Sequence, residues 1–511
     1  MPVLDPTPVR RRRAVPARPS SRRTAAGPLP VRGRSPVRGG ADLGRGPALA
    51  MVAALVVAAT AIRLAIPRGL WLDEAISVHQ ARLPIADLIQ SLAQSDRHPP
   101  LHHLVLWATV RLLGDGDLAV RAPSLIAGVL VVPGLYALAS ELYDRRTGVV
   151  AALFGTVAPL LVWYAQEARM YAFVTLFAVL AVLGCARVLR RGGAGDWALY
   201  TLAAALLLWT HWFAALLVLC TQAAFAVGYV RSRRPGVAAW GVSGVVLAWQ
   251  LVPLGVLAAS QVHATGTGGG YAGAADIAGG ESFYTVTANL SWLLGGFHPD
   301  RVTELLSAVW PLGMLASLLA LGRRMRRPTA LLLGCALGPT AALLALGAVR
   351  PGLFDVRYFI AAAPLAVVLM ARLAVAWAPG RGRRALLIGG VFAVLAVALA
   401  DQQLDPANPR RYDYREALAR VDREMRPGDV VLYEPPELRY VLEHYAPALA
   451  ARPLDGALPT RREARRVIVL GSFLDQARYR RVVDRQVGAL RYARRAQGRE
   501  RLPGVSLWRF R

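Results

Sequence analysis

The sequence predicts a mainly α-helical, polytopic membrane bundle of about eleven transmembrane helices followed by a small α/β domain. Three observations carry this. Of 511 residues, 55% are hydrophobic, and the mean hydropathy is +0.39. Runs of Ala, Leu and Val long enough to cross a bilayer recur between residues 48 and 400. The connections between them alternate between Arg-rich segments and segments holding acids, histidines and aromatics, as expected when cytoplasmic loops carry the positive charge.

Residues 1–46, rich in Arg, Pro, Gly and Ser, read as a disordered basic cytoplasmic tail. The spans of the 47–400 bundle are expected at 48–66, 122–140, 148–163, 170–188, 197–210, 212–230, 237–257, 302–321, 329–348, 358–377 and 385–400. With the tail inside, the inside loops are ELYDRRTG, RVLRRGGAGD, RSRRPG, GRRMRRP and PGRGRR, all basic. The outside connections are 67–121, 163–169, 210–212, 258–301 and 350–357. The short spans at 148–163 and 197–210 are accommodated by tilt or packing. Within the first outer loop, LVLWATVRLLG (104–114) is apolar but too short to cross, and reads as a helix lying at the interface.

An odd number of crossings places 401–511 outside. There the apolar runs shorten: YREALARVDREM and ELRYVLEHY read as helices, and GDVVLYEP, RRVIVLGSF and GVSLWRF as strands. The alternation predicts a small extracytoplasmic α/β domain with a largely parallel sheet. No glycine-rich phosphate loop accompanies these strands.

The formal charge of +28 does not indicate nucleic acid. All 60 basic positions are arginine, and they sit in the tail, the hinges and the C-terminal region without interleaved stacking aromatics. The three cysteines, Cys185, Cys220 and Cys335, lie in apolar runs, so neither a disulfide framework nor a thiolate metal site is indicated.

The loop parity brings unusual polar residues to one face. GLWLDEAISVHQ (69–80) supplies the adjacent acids Asp73 and Glu74, and SDRHPPLHH (95–103) supplies Arg97 and His98. Later span ends add Tyr164, Glu167, Arg169, His211, Arg357 and Tyr358. A carboxylate there can take the proton of an attacking hydroxyl, and an arginine can hold a phosphate or the charge that develops as it leaves. Each residue also has a plain structural reading: Asp-Glu as a solvated turn or cap, Glu167 and Arg169 as an ion pair, Arg357 as a snorkelling cation. The spacing of His98 and His102 suits a metal, but Pro99 and Pro100 lie between them, so no metal ligand is assigned. The coincidence of independent loops favours a site.

LDEA (72–75), RHPPLHHLVL (97–106), LLGDGDLAVRAPS (112–124), YAQEARMYAF (164–173) and FDVRYFIAAAPL (354–365) together resemble polytopic glycosyltransferases of the GT-C fold. The resemblance is to bacterial members akin to protein O-mannosyltransferases and the lipid A aminoarabinose transferase, over about residues 48–400. The resemblance implies a polyprenyl-monophosphate sugar donor, transfer outside the cytoplasmic membrane and no nucleotide. It places the general base on Asp73, with Glu74 beside it, and suggests Arg169 and Arg357 for the carrier phosphate. His98 falls in the HPP element, implied to position the interfacial helix. No WWDYG-like element is present, which argues against transfer of an Asn-linked oligosaccharide.

The candidate site is therefore Asp73 and Glu74 for catalysis, with Arg97, His98, Tyr164, Glu167, Arg169, His211, Arg357 and Tyr358 for donor phosphate or substrate. The expected partners are a polyprenyl-phosphate sugar, membrane lipids and a cell-envelope glycan, lipid or protein acceptor. No cofactor is required, and a divalent metal is allowed but not implied. The competing class is a lipid-linked sugar flippase or other transporter. Such proteins show repeated halves and polar breaks near the midplane, whereas here no repeat is evident and the polar residues lie at one surface.

Overall fold

The computed structural model describes residues 43–233, 235–265, 283–298, 327–349, 354–377, 380–408 and 410–511. In chain order the helices of the bundle are α1 (Arg45–Leu64), α2 (Leu72–Arg82), α3 (Ile85–Gln94), α4 (Leu101–Leu113), α5 (Asp117–Leu142), α6 (Arg145–Val157), α7 (Pro159–Ala165), α8 (Tyr171–Arg190), α9 (Ala194–Thr210), α10 (Ala214–Ser232), α11 (Val237–Thr265), α12 (Phe283–Gly295), α13 (Arg327–Val349), α14 (Ala362–Trp377) and α15 (Arg381–Leu404).

The expected spans overlap described helices except at 148–163, which falls on two, and at 302–321, which lies outside the described residues together with most of the tail. Among the described residues, seven helices are long and apolar enough to cross a membrane: α1, α5, α8, α10, α11, α13 and α15. The spans expected at 197–210 and 358–377 are the shorter α9 and α14. The helix expected at 104–114 is α4, which begins directly after Pro100.

The span expected at 148–163 is not one helix. It breaks between α6 and α7, which are bent by 60° and provide an eighth crossing if counted together. Pro159 has no N–H to continue the ladder, and its ring drives Ala158 out of the helical region, to ψ 115°. Carbonyls near the break find other donors. Arg63 of α1, almost fully buried, reaches Thr156 O at 3.4 Å and Gly155 O at 3.5 Å. Gln402 of α15 donates to Pro159 O at 2.9 Å. Backbone freed inside an apolar bundle has to be satisfied in this way. The bend delivers Tyr164 and the following 166–170 loop to the polar end of the bundle.

The C-terminal region holds α16 (Tyr414–Glu424), α17 (Leu438–Tyr445) and α18 (Ala477–Ala493) around strands β1 (Val430–Glu434), β2 (Ala451–Pro453), β3 (Val467–Ser472), β4 (Ala496–Leu502) and β5 (Val505–Phe510). The strand order is β2-β1-β3-β5-β4. Both neighbours of β1 run parallel to it, as expected, but β5 is antiparallel to β3 and to β4. The sheet is therefore mixed rather than largely parallel. The cause is local: β4 and β5 are joined only by Pro503 and Gly504, and such a short link permits only an antiparallel pair. Gly504 takes φ 68°, which suits glycine. Apolar residues Leu438, Val441 and Leu442 of α17 share a buried cluster with Leu72 and Ala75 of α2, so the sheet region is packed onto the bundle.

Small residues allow close helix approach. A Cβ on Gly184 of α8 would lie 2.7 Å from Tyr200 Cα and 2.8 Å from Tyr200 N on α9. Gly184→Ala is expected to force α8 and α9 apart and cost about 1–3 kcal/mol. A lowered thermal midpoint of the detergent-solubilised protein is the readout, and an unchanged midpoint contradicts the packing.

Candidate active site

The adjacent acids of α2 have different surroundings. Glu74 is 1% exposed and fully engaged. Arg121 of α5 grips it through Nε at 2.7 Å and Nη2 at 2.6 Å. The Ala168 N–H donates to Glu74 Oε1 at 2.7 Å, and the Trp71 N–H to Oε2 at 3.1 Å. Arg121 also donates to the carbonyls of Arg68 at 2.5 Å and Gly69 at 2.9 Å. One ion pair thus ties together the start of α2, the first turns of α5 and the 166–170 loop. Asp73 is half-buried, and its Oδ2 is buried without a hydrogen-bond partner. Its carbonyl accepts from Ser77 Oγ at 2.9 Å, and Ser77 Oγ accepts from Arg169 at 2.9 Å.

The HPP element is organised by Asp96, which sequence reasoning missed. Asp96 accepts from the N–H groups of Arg97 at 2.6 Å and His98 at 2.9 Å, and its carboxylate contacts His98 Nδ1 at 3.0 Å and His103 Nε2 at 3.3 Å. Burial alone would raise its pKa, but the two histidines hold it well below the usual carboxylate range. The Arg97 side chain is exposed. His98 faces inward, its ring 5.9 Å from that of His211, and burial lowers its pKa.

His211 follows α9 directly. Burial, then the positive neighbours His98, Arg169 and Arg357, hold it at about 3, so the ring is neutral. Its Nδ1 accepts the Phe213 N–H at 3.3 Å, which assigns the proton to Nε2, a buried donor without a partner. The rings of Tyr171 and Tyr358 lie 6.2 and 5.9 Å away. Burial pushes the Tyr358 hydroxyl up to about 12.

Tyr164 and Glu167 come from the bend. The ring of Tyr164 is 4.6 Å from that of Tyr171. Glu167, 6% exposed, accepts from Trp163 Nε1 at 2.6 Å, while its Oε2 has no partner. Burial first, and the charge of Glu74 second, raise it to about 7 against the pull of Arg68. Arg68 lies 3.7 Å above the Trp163 ring and is lowered to about 10, chiefly by burial. Arg357 is forked on Asp355 at 3.1 and 2.9 Å. Burial opposes ionisation of Asp355, but Arg357 and Arg410 hold it at about 2.

Trp71, Trp163, Tyr164, Glu167, Arg357 and Arg410 line one small cleft. The charges of Asp73, Arg169, Arg357 and Asp355 all reach Tyr171, and those of Asp73, Arg357 and Arg410 reach Tyr412. The structure thus gathers Asp73, Glu74, His98, Tyr164, Glu167, Arg169, His211, Arg357 and Tyr358 at one end of the bundle, and leaves the Arg97 side chain at the surface. Arg68, Asp96, Arg121 and Arg410 join without having been foreseen. Arg410 carried a signal in PANPRRYDYR, a basic and aromatic stretch between the last span and the sheet. Among the described residues no three of His, Cys, Asp or Glu stand together as metal ligands, and His102 packs against His103 and Phe173.

The arrangement sets an acid with a free oxygen beside cations at the end of an apolar bundle. Two crystal structures of ArnT from Cupriavidus metallidurans, in the apo state and bound to undecaprenyl phosphate, match with TM-scores of 0.52 and 0.53. Their identities are 13% and 12%, and each match covers 91% of this chain and 98% of that one. The archaeal oligosaccharyltransferase AglB from Archaeoglobus fulgidus, in complex with an inhibitory peptide and a dolichol-phosphate, matches with a TM-score of 0.53 and 13% identity. That match covers 90% of this chain and 74% of the other. Residues 97–254 match the family model for dolichyl-phosphate-mannose-protein mannosyltransferase. No curated protein sequence matches. The chain is a multi-pass membrane protein with the GT-C fold.

Glu167 gives a pH test. Its folded pKa of about 7 lies above the ordinary 4.5, so the folded protein binds this proton more tightly than the unfolded chain. The resulting stabilisation is fully present below about 4.5 and is lost as pH rises to about 7. Glu167→Gln should therefore raise the thermal midpoint at pH 8 more than at pH 5. An equal change at both pH values counts against a buried, proton-holding Glu167.

Proposed function

We propose that the protein is an integral membrane glycosyltransferase. In this reading it moves a sugar, mannose or another hexose, from a polyprenyl-monophosphate carrier to a hydroxyl of a cell-envelope glycan, lipid or protein. The observation that carries the reading is the unpaired, buried Oδ2 of Asp73 at the end of the bundle where Arg169, Arg357 and Arg410 collect. A carboxylate oxygen with no donor of its own is available to a substrate proton. The undecaprenyl phosphate and dolichol-phosphate named with the ArnT and AglB structures support a lipid-phosphate carrier.

The reaction is a single displacement. The acceptor hydroxyl gives its proton to Asp73 as its oxygen attacks the anomeric carbon. The bond from that carbon to the phosphate oxygen breaks with its electron pair, releasing the polyprenyl monophosphate and inverting the anomeric centre. Arg357 and Arg410 hold the phosphate as charge builds on it. The Nε2–H of His211 and the hydroxyls of Tyr164 and Tyr358 orient donor oxygens. Glu74, with every acceptor position facing a donor, keeps the frame in register. No metal is required by these steps. With the N-terminal tail cytoplasmic, the site and the 401–511 domain face the outside of the cytoplasmic membrane, and the carrier enters sideways from lipid.

Asp73→Asn in the purified full chain should leave binding of undecaprenyl phosphate intact and reduce transfer from a labelled polyprenyl-phosphate hexose to membrane extract by about 10²–10⁴-fold. Undiminished transfer by this variant overturns Asp73 as the base. Arg410→Gln should instead weaken undecaprenyl phosphate binding by roughly tenfold or more, the worth of a charge-assisted contact. Unchanged binding would remove Arg410 from the phosphate site.

A further inference from the structure

We propose that the C-terminal domain acts in the reaction as a clamp on the segment that presents Asp73, with Tyr445 as its positioning residue; this rests on the reading of Asp73 as the base. The Tyr445 hydroxyl accepts the Leu70 N–H at 2.5 Å and donates to Asp117, whose two carboxylate oxygens each lie 2.9 Å away. Leu70 is three residues before Asp73, and Asp117 is one helical turn before Arg121, the partner of Glu74. One hydroxyl from α17 therefore joins the two strands of structure that fix the acid pair.

The surrounding contacts give the clamp direction. His444 Nδ1 accepts from Arg82 at 2.9 Å, so its Nε2 carries the proton toward Asp117 at 3.2 Å. Glu443 pairs with His79 at 2.9 Å, near the C-terminal end of α2. Consecutive residues of α17 thus grip both ends of α2. Arg415 of α16 reaches Asp117 at 3.2 Å. Gly69 leaves no spare room: a Cβ there would stand 3.0 Å from Arg415 Cβ and 3.3 Å from the Tyr445 oxygen. The Trp71 ring stacks on Tyr412, 6.2 Å between centroids. Every residue from Gly69 to Leu72 is therefore in contact with the C-terminal region, while the Asp73 carboxylate remains unclaimed.

The interaction acts on placement rather than on substrate binding. In the proposed reading the phosphate contacts come from Arg357 and Arg410, whereas the Tyr445 hydroxyl is engaged by Leu70 and Asp117. A base displaced by a fraction of an ångström loses rate steeply while the donor still binds.

The test uses the full chain in detergent or nanodiscs. Tyr445→Phe keeps the ring, and leaves Asp117 with His444 and Arg415. Its turnover with labelled polyprenyl-phosphate hexose and membrane extract should fall roughly tenfold, with the donor KM within about twofold of wild type. Hydrogen exchange of the backbone amides of residues 69–72 should accelerate. Arg439→Ala, an exposed change on the same helix, should alter neither readout. If Tyr445→Phe fails to fold, Asp117→Asn is read in its place with the same expectations. Wild-type turnover in the folded variant overturns the clamp, as does a fall matched by an equal loss of undecaprenyl phosphate binding. A wild-type chain that binds undecaprenyl phosphate but transfers no sugar overturns the functional reading instead, and the exchange rates still report on the clamp.

Discussion

A carboxylate held 1% exposed must be matched almost completely, because an unpaired buried charge costs several kcal/mol. The Glu74–Arg121 pair meets that demand with four hydrogen bonds to the acid and two further backbone carbonyls on the guanidinium. Those partners come from three separate stretches of chain, so the pair works as a junction. Residues 68–74 cannot move without α5, and neither can move without the 166–170 loop. Removal of either partner would leave a buried charge, which is why the rest of the site can be built on this contact.

The second constraint is the bend at Pro159. A straight span would carry Tyr164 and Glu167 on along the helix axis, whereas the 60° turn directs them into the polar end of the bundle. Proline does not by itself produce such a turn in this chain. Pro123 and Pro133 lie within α5, Pro253 within α11 and Pro339 within α13, and all three helices continue through them. At 158–159 the difference is the company: the Arg63 guanidinium and the Gln402 amide stand ready to take carbonyls near the break. A broken helix persists where buried donors make it satisfiable.

This explains what could be read from the sequence and what could not. Most apolar helices were legible because lipid demands long apolar runs. LDEA, RHPP, YAQEAR and FDVRY stood out because acids, histidines and arginines at span ends have few inexpensive places to go. The break was hidden, since its deciding partners lie about ninety and more than two hundred residues away along the chain. Asp96 looked like loop charge until its histidine and backbone partners were in place. β2 is three residues long and β4 reads AQGRERL, so neither shows the apolar alternation of a strand, and the sheet seemed more parallel than it is. The different surroundings of Asp73 and Glu74 depend on Arg121, which no local pattern connects to them.

Those different surroundings follow from helix geometry once Arg121 is placed. A general base should be rigid, partly desolvated and unpaired, and these demands conflict within one residue, because what makes a buried carboxylate rigid is being paired. Adjacent residues on a helix project about 100° apart. With Glu74 turned toward Arg121 and the Ala168 N–H, Asp73 is rotated away from those donors. The pairing that satisfies Glu74 thus holds Asp73 on a fixed backbone without consuming its oxygen. In the proposed reading, two neighbouring acids meet requirements that one acid could not, and the order Asp-Glu divides them: the residue one step along the helix is locked, and the one before it stays free.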